Sequence, residues 1–239
     1  MAERITSGVI GLDEKIGGGF VKGSVNLITG KTGTGKTAFC AAFLYAGAQN
    51  GEPGVYITTE ESVDDIRADV TEMFGWDLES LEKKKAVKII SLKPIFPTKA
   101  AEDLNRLIRA YISNLLDDIV QAVKDTKAKR LIIDSESMIE LFVQDEYLAK
   151  VALMSMIEKI KETGVTAIIT GTIPEESEGL SGSGVVEFIV DTVIKLDFVP
   201  VAEEYKRTLT VRKMRRTDHS TLIHPFTLGK QGVQVVEIE

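Results

Sequence analysis

A single cysteine, Cys40, excludes an intramolecular disulfide. It falls on the helix that follows a glycine-rich loop, where a small packed side chain is expected rather than a nucleophile. Long hydrophobic runs are missing as well. No stretch is long enough to span a bilayer, and none follows a basic N-terminus as a secretory signal would, so the expectation is a soluble cytoplasmic protein with no membrane partner. Positive charge is in deficit: 29 Lys and Arg against 36 Asp and Glu give a net charge of −7. That argues against general electrostatic binding to nucleic acid, although a local basic patch is compatible with it. Neither an internal repeat nor a linker breaks the chain, and 239 residues suffice for one large core, so residues 1–239 are expected to form a single domain.

What is present alternates. Apolar, β-prone runs at 25–29, 55–59, 87–92, 131–134 and 165–170 are separated by segments of helical period. Those helices run from Ala38 to Gln49, from Ser62 to Phe74 with Ser62 as N-cap, from Ala100 to Lys124 and from Asp145 to Glu162. The third is expected to bury Leu104, Leu107, Ile108, Tyr111, Leu115, Ile119 and Val123. Lys93 to Pro97 reads as a loop, and Lys83-Lys84-Lys85 as a solvated helix end. Gly171 to Gly184, with Glu175, Glu176 and Glu178, is a polar, glycine-rich loop. Beyond it, 192–198, 207–214, 221–228 and 233–238 look like short antiparallel strands. The fold class is therefore α/β: a mostly parallel sheet flanked by helices, with an antiparallel C-terminal extension.

The most specific stretch is Gly30-Lys31-Thr32-Gly33-Thr34-Gly35-Lys36-Thr37, which fits G-x-x-x-x-G-K-[ST] at every fixed position. A strand enters it and a helix leaves it, the context of a phosphate-binding P-loop. Gly33 and Gly35 allow backbone N–H groups to approach phosphate oxygens; Lys36 reaches the β- and γ-phosphates; Thr37 offers its hydroxyl to Mg²⁺; the helix N-terminus favours negative charge. Downstream, Asp134 ends a buried apolar strand, the place of the carboxylate that holds Mg²⁺ through water in P-loop ATPases. Glu60 and Glu61 end another strand. They are placed either to deprotonate water for attack on the γ-phosphate or to serve as acids before the Ser62 cap, and spacing alone leaves the two even.

The densest positive run is Arg212-Lys213-Met214-Arg215-Arg216. On a strand Lys213 and Arg215 share one side. Three readings stand: a solvated edge strand kept from aggregating, a DNA-contacting strand, and an arginine finger completing a neighbouring subunit's site, with residue chemistry alone favouring the first.

Taken together, these motifs resemble the KaiC family of RecA-like ATPases along essentially the whole chain. The likeness starts with Ile5-Thr6-Ser7-Gly8, Leu12-Asp13 and Gly18-Gly19-Phe20, and includes the P-loop, Glu52 through Glu61, Phe74-Gly75-Trp76 and Ile132-Ile133-Asp134-Ser135. It ends with Val186 through Asp191, Lys213-Met214-Arg215, His219 and Pro225-Phe226-Thr227. The resemblance implies a RecA-like P-loop NTPase core and a ring-shaped homo-oligomer, typically hexameric, with ATP between subunits. It makes Gly30, Thr32, Gly33, Thr34, Gly35, Lys36, Thr37 and Ala38 the phosphate cradle, Thr37 and Asp134 the Mg²⁺ residues, and Glu60 and Glu61 the catalytic pair. Lys213, Met214, Arg215, Thr217 and His219 match the segment that reaches a neighbour's nucleotide, which moves the finger reading ahead.

There are three departures from the pattern. Arg216 stands where glycine is usual; Glu187-Phe188 replaces adjacent Ser-Thr phosphosites, which argues against autophosphorylation there; and Leu228-Gly229-Lys230 lacks the expected Thr-Asp pair. The expected function is a Mg²⁺-dependent ATPase that serves as a regulatory switch. The alternatives are a recombinase-paralogue accessory to DNA repair, and a non-hydrolysing ATP sensor presenting the Gly171–Gly184 loop to a protein partner.

Overall fold

Apolar runs that stay buried on both faces become the centre of a sheet, because only a strand covered by helices on either side removes every side chain from water. In the computed structural model these are β3 (Val25–Gly30), β4 (Gly54–Thr58), β6 (Arg130–Asp134) and β7 (Thr166–Thr172). With β5 (Val87–Ser91) and β8 (Thr192–Val201) they run parallel; β9 (Glu204–Met214), β10 (Ile223–Gly229) and β11 (Gly232–Val235) continue the sheet antiparallel. The nine strands lie in the order β11-β10-β9-β8-β3-β7-β6-β4-β5. A separate hairpin pairs β1 (Arg4–Ile5) with β2 (Phe20–Val21). The structure describes residues 2–92, 104–137, 139, 143, 145–177, 179–182 and 184–237. The loop expected at 93–97, residues 100–103 of the long helix, Glu178 and Ile238 lie outside them.

The helices are α1 (Lys36–Gln49), α2 (Val63–Phe74), α3 (Leu78–Lys83), α4 (Leu104–Thr126), α5 (Glu146–Thr163) and the short α6 (Val186–Ile189). Even in fully buried strands the period of two sorts side chains. Ile28, Tyr56, Ile132, Ile168 and Ile194 join α1, α2 and the N-terminal segment in one core. Leu27, Val55, Ile57, Leu131, Ile133, Ala167, Ile169 and Val193 join α4 and α5 in the other. Local signals held at the helix ends: Ser62 and Asp65 form a reciprocal capping box at α2, and Asp145 caps α5 by accepting from Leu148 N at 2.9 Å.

Two expectations need correction. On α4 the stripe is fully buried from Leu115 onward, Tyr111 is partly buried against that core, and Leu107 is 48% exposed; the side chains of Leu104 and Ile108 lie outside the described residues. Strand β8 is antiparallel only to β9; on its other side it pairs in parallel with β3, so the antiparallel extension begins one strand later. Arg130 opens β6 yet is 0% exposed. Its guanidinium donates to Glu52 Oε2 at 2.9 and 2.6 Å and to the carbonyls of Thr6 and Phe43 at 2.9 and 2.7 Å. Cys40 is buried in α1, and desolvation foremost raises its thiol pKa well above the ordinary value, so it behaves as a small apolar side chain.

Candidate active site

The loop after β3 turns back on itself before α1 starts. Gly35 at φ 107° takes a backbone that a Cβ would strain, and it delivers the chain into the first turn of α1. No side chain caps that turn, so its N–H groups are available to an anion at the end where the helix dipole is positive. Thr34 closes the loop by donating its hydroxyl to Lys31 O at 2.8 Å, and Gly30 ends β3. Both therefore shape the cradle from behind. Thr32, Gly33, Gly35, Lys36, Thr37 and Ala38 line a cavity of about 370 Å³ on its other side. Lys36 Nζ donates to the carbonyls of Gly30 and Lys31 at 2.9 and 3.0 Å. Desolvation lowers its pKa while Asp134 and Glu60 oppose the shift.

Open α/β sheets present their ligand crevice at the carboxyl ends of the strands, and the acids expected there converge on this cavity. Thr37 Oγ1 donates to Asp134 Oδ2 at 3.0 Å. Tyr56 OH reaches the same oxygen at 2.5 Å, and Thr170 Oγ1 donates to Asp134 Oδ1 at 2.5 Å. Burial foremost, then Asp134, raises the phenol pKa of Tyr56 well above its usual value, so it stays a donor. Glu60 and Glu61 line the cavity together. Ser135 donates its hydroxyl to Glu60 Oε1, while Thr59 Oγ1 binds Ser135 from the neighbouring strand end. Burial, followed by the charges of Asp134, Asp69, Glu60 and Asp65, raises the carboxyl pKa of Glu61.

Part of the lining comes from elements that carry no local motif. Asp69 and Met73 of α2, Arg207 of β9 and Leu228 of β10 supply it. Arg207 lies opposite Phe198 in the β8–β9 register, its guanidinium 5.1 Å over that ring, and its Nε is buried without a partner among the described residues. Sequence reasoning named Leu228 only as a departure from the family pattern and missed Asp69, Met73 and Arg207, which reach the cavity through the packing of α2 and the β8–β9 register. Lys31 ties the segment after β7 to the loop, donating to Glu175 O at 2.6 Å.

The basic strand is not brought to this cavity within its own chain. Lys213 Nζ donates to the carbonyls of Glu187, Phe188 and Val190 at 2.9, 3.0 and 2.8 Å, closing the end of α6. Arg215 donates to Phe188 O at 3.1 Å and lies 3.7 Å from Asp191. Met214 is core, Thr217 accepts from Arg4 at 2.9 Å, and His219 Nδ1 lies 3.0 Å from Ser220 O.

A hydroxyl and a carboxylate in contact, at the lip of a cavity able to hold phosphates, form a donor set suited to Mg²⁺, which is commonly held by one or two protein oxygens together with phosphate and water. Among the described residues no group of three or more His, Cys, Asp or Glu is placed to hold a metal ion. No helix among those residues is long and apolar enough to cross a membrane.

Comparison with known proteins agrees with this fold. Residues 5–239 match the family described as "ATPase: KaiC". A UPF0273 protein of Methanopyrus kandleri is 34% identical over 235 residues, covering 98% of this chain and 92% of the relative. The circadian clock oscillator protein KaiC of Prochlorococcus marinus subsp. pastoris is 34% identical over 234 residues, covering 98% of this chain but 45% of the clock protein. The crystal structure of a KaiC-like protein from the hyperthermophilic archaeon Pyrococcus horikoshii superposes with a TM-score of 0.86 at 39% identity, covering 99% of this chain and all of that one. With the RecA-like P-loop fold, the mostly parallel sheet and these matches, the chain belongs to the KaiC family of ATPases.

Proposed function

We propose that this cavity binds Mg²⁺-ATP and hydrolyses its terminal phosphoanhydride, within a ring-shaped homo-oligomer, a hexamer, that holds nucleotide at its subunit interfaces and works as a switch. The observation that carries this reading is the Thr37–Asp134 contact, set between the phosphate loop and the Glu60–Glu61 pair in one cavity. A bound phosphate would draw Lys36 from the Gly30 and Lys31 carbonyls and meet the uncapped first turn of α1. Thr37 and Asp134 would hold Mg²⁺, which when bound offsets phosphate charge in the transition state. Glu60, oriented by Ser135, and Glu61, whose raised pKa suits a base, would align water and accept its proton as oxygen attacks phosphorus and ADP leaves. Met73, Leu228 and Arg207 would offer an apolar wall and a donor-bearing side chain for base and ribose. Lys213 and Arg215 lie outside their own chain's cavity, so they would act on phosphate from a neighbouring subunit.

The test is the double variant Glu60→Gln/Glu61→Gln. ATP binding should persist while hydrolysis falls by about 10²–10⁴-fold, the usual contribution of a general base. Hydrolysis within tenfold of wild type would remove the pair from the mechanism.

A further inference from the structure

The hydroxyl of Tyr56 has no role in packing. The ring is 1% exposed inside an apolar core, where phenylalanine would fill the same space, and its one polar atom is spent on Asp134. The register explains how it gets there. Strand β6 lies between β4 and β7; Tyr56 pairs with Ile132, and Ile132 with Ile168. Two residues further along β6 and β7, on the same face, stand Asp134 and Thr170. A phenol from one flanking strand and a threonine from the other therefore grip the two carboxylate oxygens from opposite sides, at 2.5 Å each. Neither Tyr56 nor Thr170 lines the cavity, so neither can touch nucleotide or metal.

We propose that Tyr56, together with Thr170, is a positioning residue that fixes the plane of the Asp134 carboxylate and so sets the affinity of the site for Mg²⁺; this rests on the nucleotide-site reading above. With both oxygens held from behind, the lone pairs left to Asp134 face Thr37 and the cavity. Without the phenol hydroxyl, Thr170 alone holds the carboxylate from behind, and it can turn about its Cβ–Cγ bond away from Thr37. Partners of this kind, one bond removed from the metal ligand, typically change metal affinity by about 10–100-fold when lost.

The experiment uses Tyr56→Phe and wild type, each with ATP at a fixed saturating concentration. MgCl₂ is titrated and the thermal stabilisation at each concentration is read. The expected result is a half-maximal Mg²⁺ concentration raised about tenfold in Tyr56→Phe, at the lower end of that range. Thr170→Val should move it in the same direction and serves as the test if Tyr56→Phe does not fold. A half-point within twofold of wild type, whatever the melting temperature without ligand, makes the hydroxyl merely structural and overturns the proposal. A lowered half-point overturns it too, since it would show the hydroxyl competing with the metal. If wild type itself gains no Mg²⁺-dependent stabilisation from ATP, the nucleotide-site reading falls, and the role of Tyr56 with it.

Discussion

Removing Glu52 should unsettle the protein far from the cavity, because it leaves the buried Arg130 guanidinium without its carboxylate partner. Arg130 is 0% exposed, and two of its five hydrogen-bonding N–H groups are directed at Glu52 Oε2, at 2.9 and 2.6 Å. Burial lowers the guanidinium pKa, and Glu52 is the first of the groups that oppose it. In Glu52→Ala the carbonyls of Thr6 and Phe43 and the Phe43 ring, 4.4 Å from the guanidinium carbon, remain as partners, but the negative charge is gone. Breaking a buried pair from one side costs about 3–5 kcal/mol. The Glu52 side chain is 32% exposed, so water enters the vacated space and the lower end, about 3 kcal/mol, is expected. For a chain of this size that lowers the melting temperature by roughly 6–12 °C. Urea unfolding with an unchanged m-value would measure it, and Glu52→Ala/Arg130→Met should recover part of the loss because no buried charge remains. A loss below about 1 kcal/mol, the worth of a surface pair, would refute the reasoning.

Gly47→Ala places a Cβ 2.3 Å from Arg130 Cδ, and the pinned head of that arginine leaves it nowhere to go. Urea unfolding should show a net loss of about 1 kcal/mol despite the better helix propensity of alanine; a gain would contradict the packing. With Glu61 as the proposed base, its raised pKa predicts that the acid limb of an ATPase pH profile lies above the ordinary glutamate value of about 4.3. A carboxyl raised in the folded state costs stability once pH passes its unfolded value. Ligand-free Glu61→Gln should therefore melt above wild type at pH 8 and lose that advantage near about pH 4; an equal difference at both would refute the shift. Arg215→Ala, followed by light scattering after size exclusion, should still assemble with Mg²⁺-ATP while hydrolysing about 10³-fold more slowly, as loss of an arginine finger does. A monomeric wild type with a rate matching Arg215→Ala would end the reading of a shared site.

Much of the site was legible because its chemistry is local. Gly30 to Thr37 specify their loop within eight consecutive residues, and an apolar strand ending in Asp134 carries its own position at the sheet edge. The same holds for Ser62 and Asp65, which find each other three residues apart. Arg130 was not legible: a charged residue next to Lys129 reads as surface, and its burial depends on Glu52, 78 positions earlier. Arg207 was missed for the same reason, since its place by the cavity follows from the β8–β9 register. Leu107 failed in the opposite direction: helical period marks a face as apolar, but whether anything covers that face depends on which elements pack against it.

Residue order was thus enough for the elements, the phosphate loop and the acids that belong with it, because propensity, periodicity and capping act between near neighbours. Which side chains finally meet is another matter. The contacts of Asp134 with Thr37, Tyr56 and Thr170 join residues 97, 78 and 36 positions apart. They exist only once β3, β4, β6 and β7 lie together in one sheet and register. Strand order and register minimise exposed apolar area over the whole chain at once, a sum that no short window contains.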